Sequence, residues 1–476
     1  MSDGGLRKLA ILMGGTFLLL LILLRRPGYL ASPFILGAVI AAQVVLAALS
    51  RYRQSFFLIL IAAFLWAGAD LPFHGVWLQG RWLVLAVGAL AGFAIYMKDG
   101  RHYFGPFHLV ALFCVLSAMV SAVVSAYPEE SLLKALSLLL LFLYGCSGAR
   151  LAVPVFNPEK FFRGLLLACE ILAYLIPGCY FVIHLEVFGS TNSLGAVMGV
   201  VVVPILFWGV LVARTTGERR RRGFALALAM LALITSFSRA SVAAGLLSCL
   251  LIGVMLRQFR MVLKGAAATA VIATLVVMFV PLPSDTPRWN GSDSIVSLFL
   301  YKGKPETGLM SSRQGPWQQT WAVIKDHPWF GSGFGTSLTS DDWSQLVPTH
   351  THFDSRVVRE HGNSYLAILE WTGLLGVVPF YFLAALMVSN VRKAFSAVRH
   401  NGDVFSPAIP AAAIVGAGLV HAAFEDWMFA VGYYLCVFFW SMAFILVDVL
   451  HQPAAASNQV VLPISQPQFL AAASGQ

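Results

Sequence analysis

The chain has 476 residues, 58% of them hydrophobic and only 11% charged, with a formal net charge of +10. Soluble domains carry roughly 25% charged residues, so this composition excludes an ordinary water-soluble enzyme. The positive charge does not point to nucleic acid. Its basic residues fall in short clusters between apolar runs, which is the topology signal of membrane proteins.

Apolar runs of about 17 to 25 residues, the length a bilayer-crossing helix needs, recur along the chain. The first follows Arg7-Lys8 and resembles a signal peptide, but Arg25-Arg26 directly after it, without a small-residue cleavage site, favour an uncleaved span. Fourteen spans are predicted, at about 8–24, 32–49, 55–69, 82–97, 107–126, 132–149, 164–184, 194–213, 223–237, 239–256, 264–281, 363–389, 407–423 and 428–449. The implied fold class is an all-α polytopic membrane protein. Its organisation is a block of helices over 1–281, a hydrophilic segment 282–362, further spans over 363–450, and a tail over 451–476 that reads as disordered. All six cysteines (Cys114, Cys146, Cys169, Cys179, Cys249, Cys436) lie inside apolar runs, which disfavours a disulfide scaffold or thiolate metal site.

Placing the N-terminus inside puts twenty of the thirty-two Lys and Arg residues on the cytoplasmic side, among them Arg219 to Arg222, Arg257, Arg260, Lys264, Arg392, Lys393 and Arg399. Both termini are then cytoplasmic. The outer face receives Ser238-Arg239, the 282–362 loop and the turn His421 to Trp427, where the unusual polar residues gather. Within the loop, Ser312 reads as the N-cap of an amphipathic helix over about 313–326, with Trp317, Trp321 and Ile324 at helical spacing. His327-Pro328 ends that helix, and Gly331-Ser332-Gly333-Phe334-Gly335 makes a tight turn. A polar stretch then leads through Arg359-Glu360-His361-Gly362-Asn363 into the next span.

Arg239 lies on the wrong side for a merely topological charge. An arginine at membrane depth is costly and usually pairs with an anion, although helix-end arginines also snorkel to water. Arg313 opens the loop helix, where a cation opposes the helix dipole unless an anion shares that end. Guanidinium groups fork onto phosphate oxygens, and a surface salt bridge is the equal alternative. His361, at the lip of a span, titrates near neutrality and suits taking a proton from an attacking hydroxyl; a hydrogen-bonded structural histidine is the bland alternative. His350, His352, Asp354 and His361 match no metal-ligand spacing, so no metal site is predicted. The glycine run follows no buried strand and is rejected as a nucleotide loop. Glu425-Asp426 either pairs with Arg239 or Arg313 or marks a helix end. A transporter stays open as a class, with Glu170 the clearest ionisable group in the interior spans and no matched pair of broken helices.

Taken together, Ser312-Arg313, Trp317, Ile324-Lys-Asp-His-Pro-Trp-Phe-Gly331-Ser-Gly333-Phe-Gly335, His361-Gly-Asn363-Ser-Tyr365-Leu366 and Glu370-Trp-Thr-Gly373-Leu-Leu-Gly376 resemble the O-antigen ligase and O-antigen polymerase superfamily. Asn192-Ser-Leu-Gly195 and Ser238-Arg239 extend the resemblance upstream, giving a related region of about 194–390. The departure is Gly362, which stands between His361 and Asn363 where many relatives have His and Asn adjacent. The resemblance implies a fold of the GT-C-like, lipid-carrier-dependent glycosyltransferase type in the bacterial inner membrane, with its large loop periplasmic. It implies transfer of glycan from an undecaprenyl pyrophosphate carrier to an acceptor, without metal or other cofactor. Arg239 and Arg313 would stabilise the leaving diphosphate and His361 would act on the acceptor hydroxyl. Ser238, Trp317, Asn363 and Tyr365 would contact substrate, with Trp317, Trp329, Trp343 and Tyr365 able to stack on sugar faces. A polymerase of lipid-linked repeat units is the leading expectation, slightly favoured by the span count. A ligase onto lipid A-core or protein is the second, and a lipid-linked-glycan flippase is the alternative of another class. Membrane lipid and a chain-length regulator are the further partners implied.

Overall fold

The computed structural model describes residues 53–69, 74–98, 104–154, 158–180, 187–267, 271, 311–336 and 360–451. Among these residues the secondary structure is all helical: α1 Arg53–Gly68, α2 His74–Lys98, α3 Pro106–Val123, α4 Pro128–Ala152, α5 Pro158–Gly178, α6 Thr191–Leu211, α7 Thr216–Thr235, α8 Arg239–Met255, α9 Ser311–Asp326, α10 Ser364–Asn401, α11 Ala408–His421 and α12 Tyr434–His451. Eleven predicted spans fall on these helices. Those at 8–24, 32–49 and 264–281 lie outside the described residues, wholly or for most of their length, as does the tail after His451.

Seven helices (α2 to α6, α10 and α12) are long and apolar enough to cross a bilayer, and α1, α8 and α11 are apolar but shorter. The chain is a multi-pass membrane protein. Helix α6 has 94% of its apolar window buried and α10 only 28%, so α6 lies inside the bundle and α10 on its outside. The exposed Leu374, Leu375, Val378 and Phe382 of α10 would be a liability in water and are ordinary towards lipid.

Between lipid-embedded helices the association comes from close packing rather than from the hydrophobic effect, and small residues allow it. On α6 a β-carbon at Gly199 would lie 2.2 Å from the Ser241 carbonyl oxygen, and one at Gly195 would lie 2.5 Å from Ser236 Oγ. This seats α6 directly on the Ser236–Ser241 turn that joins α7 to α8, where Phe237 takes a left-handed φ of 50°. Contacts sort to two ends of the bundle, as alternating spans require. At one end Arg81 meets Gly432, Ser125 meets Ser332, and the α8 start meets the α11 end. At the other, Arg150 meets Asp448, and Arg221 and Arg222 meet Glu170.

Three boundaries differ from the sequence reading. The loop helix begins at Ser311, so Ser312 falls inside its first turn rather than capping it. The span read as 428–449 is helical only from Tyr434, because residues 422–433 form an irregular segment whose Trp427, Met428 and Phe429 are buried. The span read as continuous from 363 is broken at Gly373 (φ 66°, ψ −176°). The glycine loop fills that break. Leu374 and Leu375 N–H groups donate to Pro328 O at 2.7 Å and Trp329 O at 3.1 Å, while Ser332 and Gly333 N–H groups donate to Glu370 O at 2.9 Å and Trp371 O at 3.1 Å. Backbone groups freed by a broken helix are thereby satisfied by protein, as a membrane setting demands.

Only glycine fits at this seat. Gly331 has φ 76°, and a β-carbon there would lie 2.3 Å from Trp371 O. Gly331→Ala is expected to cost at least about 1–2 kcal/mol for the left-handed backbone alone, with the backbone overlap added. The check is thermal unfolding of the purified protein; an unchanged Tm would contradict the close seat.

Candidate active site

The site gathers at the bundle end where α9, the start of α10 and the 422–433 segment converge. Arg313, in the first turn of α9, donates from Nη1 to Glu360 Oε1 at 2.8 Å and from Nη2 to Glu425 Oε1. Its side chain is only 17% exposed, against 66% for Glu360. Gly362 makes room for it: with φ 62°, a β-carbon on that residue would lie 2.9 Å from Arg313 Nη1. The residue that separates His361 from Asn363 is therefore a floor for the guanidinium.

His361 is 1% exposed. Its backbone N–H donates to Asp426 Oδ2 at 2.7 Å, its Nδ1 lies 3.3 Å from the same oxygen, and its Nε2 lies 3.2 Å from Glu370 Oε1. The Trp371 ring packs edge-on against it at 5.2 Å. Burial pulls the imidazole pKa down, but the Asp426 and Glu370 contacts outweigh it, and the net shift is upward. Burial would raise the Asp426 carboxyl, and its bonds to His361 reverse that and hold it low. An imidazolium has a donor at each nitrogen, so a carboxylate on either side satisfies it. The sequence reading expected an imidazole that accepts a proton; in this geometry both ring nitrogens already face carboxylates, one of them on fully buried Glu370.

Burial lifts the Glu425 carboxyl to about 7, against the lowering pull of Arg313 and with Glu360 and Asp426 adding to the rise. The 422–428 segment is pinned to the start of α10. Ser364 N–H donates to Ala422 O at 2.8 Å, Ser364 Oγ donates to Glu425 O at 2.6 Å, and Met428 N–H donates to Ser364 Oγ at 3.1 Å.

The other expected site residues fall into two groups. Asn363 caps α10, its Oδ1 accepting from Tyr365 N–H at 2.8 Å and Leu366 N–H at 3.2 Å, and Tyr365 OH donates to Leu419 O at 2.8 Å. Both side chains also hold the fold through these bonds. Trp317 Nε1 donates to Gly362 O at 3.4 Å, and its ring lines an open groove of about 610 Å³ with Gln314, Gln318, Trp321 and Leu366. Ser238 is buried, 2.7 Å from Ser241 Oγ, which in turn lies 2.9 Å from His421 Nε2. Trp427 Nε1 donates to His421 Nδ1 at 2.7 Å, so Nε2 carries the ring proton and donates to Ser241. This chain ties the α8 start, whose first residue is Arg239, to the segment that carries Glu425 and Asp426.

The sequence reading missed Glu370 and Glu360 and left Glu425-Asp426 open. Glu370, an acid inside an apolar run, carried the same intramembrane signal as Glu170. Of His350, His352, Asp354 and His361, only His361 lies among the described residues; Trp343 lies outside them too.

Residues 224–381 match the family model described as O-antigen ligase. This stretch of the chain is similar to the O-antigen ligase family. The matched stretch runs from α7 through α8, α9, the glycine loop, His361 and the Gly373 break, and supports the resemblance to the O-antigen ligase/polymerase superfamily. The match supports a glycosyltransferase-type membrane enzyme. The carboxylates that hold Arg313 and His361 from the 422–433 segment lie beyond the matched residues. No curated protein matches the chain.

Proposed function

We propose that the protein joins undecaprenyl-diphosphate-linked repeat units into exopolysaccharide or O-antigen on the outer face of the bacterial inner membrane. The observation that carries this is Arg313, a guanidinium outside the spans, 17% exposed and paired with two carboxylates at the rim of the region similar to O-antigen ligases. Those carboxylates occupy the positions that phosphate oxygens would take, and a fork of donors suits a diphosphate. In transfer, the acceptor oxygen bonds to the anomeric carbon, and the carbon–oxygen bond to the diphosphate breaks. The charge that develops on the leaving group is stabilised by fixed donors, the role assigned to Arg313 with Arg239. The two arginines stand in for a cation. His361, held between Asp426 and Glu370, fixes the rim that presents Glu425. Trp317 flanks the acceptor side.

The O-antigen ligase description favours a second reading with the same chemistry, transfer of finished glycan onto lipid A-core or a protein. A flippase is less well supported: Glu170, the ionisable group that suggested a path, is paired with Arg221 at 2.9 Å and Arg222 at 3.1 Å. Deleting the gene and measuring glycan length and attachment separates these. Single repeats left on carrier or acceptor mark a polymerase. Full-length polymer stranded on the carrier marks a ligase, and repeats trapped on the inner leaflet mark a flippase.

A further inference from the structure

Four carboxylates surround Arg313 and His361, and they differ in what they are free to do. Glu370 is fully buried against His361. Asp426 accepts from both the backbone and the ring of His361. Glu360 is 66% exposed and returns to water at little cost when it leaves Arg313. Glu425 is different, being 17% exposed and fixed by its own backbone. Its carbonyl accepts from Ser364 N–H at 3.1 Å and Ser364 Oγ at 2.6 Å, and its neighbour Asp426 holds His361.

A diphosphate arriving at Arg313 carries more charge than a carboxylate and competes for the same donors. Glu360 would swing away; Glu425 would stay at the rim without its counter-ion. The groups facing it are Arg313 from α9, Glu360 ahead of α10, Asp426 beside it, and Tyr433 at the end of the irregular segment. Burial and the two neighbouring acids already lift its proton affinity, and only Arg313 opposes them.

We propose that Glu425 is the group that takes the acceptor hydroxyl's proton, and that Arg313 holds it in reserve until the carrier's diphosphate displaces it. This rests on the function proposed above. The acceptor O–H proton passes to the Glu425 carboxylate while the acceptor oxygen bonds to the anomeric carbon. The bond to the diphosphate breaks, and its electron pair leaves on the diphosphate, held by Arg313. When the diphosphate departs, Arg313 returns to Glu425, lowers its proton affinity and releases the proton to water. Donor binding and acceptor activation thus become one event.

The test compares wild type with Glu425→Gln and Glu425→Asp as full-length protein. Binding of glycan-free undecaprenyl diphosphate is measured in lipid nanodiscs, and chain elongation in cells lacking the native gene. Glu425→Gln removes the competing charge but keeps the size, so it is expected to bind the carrier at least as tightly as wild type. Its elongation is expected to fall by about 10²- to 10⁴-fold, the range for loss of a general base, with partial rescue in Glu425→Asp. Full elongation in Glu425→Gln would overturn the proposal and leave the proposed function standing. Joint loss of binding and elongation would show a merely structural role and overturn it too. Wild-type protein that binds no carrier would sink the proposed function itself.

Discussion

Arg313→Ala is expected to abolish glycan transfer while the protein stays at normal abundance in the membrane. Removing one fixed donor from a developing oxyanion typically costs about 10²- to 10³-fold in rate, or about 2.7–4 kcal/mol. The fold should tolerate the loss. Glu360 is two-thirds exposed and can hydrate, and Glu425, already at about 7, can take a proton in place of the missing cation. Arg313→Lys keeps the charge and loses the fork, so it should fall between wild type and alanine. The measurement is glycan chain length in cells lacking the native gene, with membrane abundance read by immunoblot. Wild-type chain length in Arg313→Ala would remove the site assignment.

Arg150→Ala is expected to destabilise the fold by about 3–5 kcal/mol, the cost of breaking a buried ion pair by deleting one partner. The Arg150 side chain is 1% exposed and reaches Asp448 Oδ1 at 2.5 Å from Nη2 and 3.1 Å from Nε. Its Nη1 lies 3.2 Å from His108 Nε2 and donates to Cys146 O at 3.3 Å, and its guanidinium carbon sits 4.7 Å above the Tyr96 ring. One side chain thereby joins α2, α3, α4 and α12 at the end opposite the site. Truncation strands Asp448, which is 20% exposed. Pairing Arg150→Met with Asp448→Asn removes both charges and should recover much of the loss. Thermal unfolding of the purified variants decides this, and a wild-type Tm for Arg150→Ala would contradict the pairing.

What could be read from the sequence followed what leaves a local pattern. Runs of apolar residues located eleven helices, since hydropathy over about 20 residues is a one-dimensional signal. Trp317, Trp321 and Ile324 at helical spacing located α9 to within two residues. Arg150 illustrates the opposite case: in sequence it was one more topological charge, because its partner Asp448 lies 298 residues away. The break at Gly373 was equally hidden. Its freed backbone groups are matched by Pro328, Trp329, Ser332 and Gly333, and nothing within the apolar run itself signals that. The motif residues of the site carry a local pattern, and the groups they bond do not. His361 suggests a base in sequence, and its neighbours Glu370 and Asp426 become visible only in the fold. Asn363 and Tyr365 suggest substrate contacts in sequence, and their bonds within the start of α10 and to α11 become visible only in the fold. The π-helical turns at Gly145–Ala149 and Met198–Val202 likewise had no sequence signature.

The proposed chemistry is tested most directly by reconstitution. Purified protein in liposomes would be given single repeat units linked to undecaprenyl diphosphate, with the Arg313→Ala variant alongside. Longer chains on the carrier are expected for the wild type, with one undecaprenyl diphosphate released per linkage and neither product from the variant. Repeat units that stay single with wild-type protein, or equal elongation by Arg313→Ala, would contradict it.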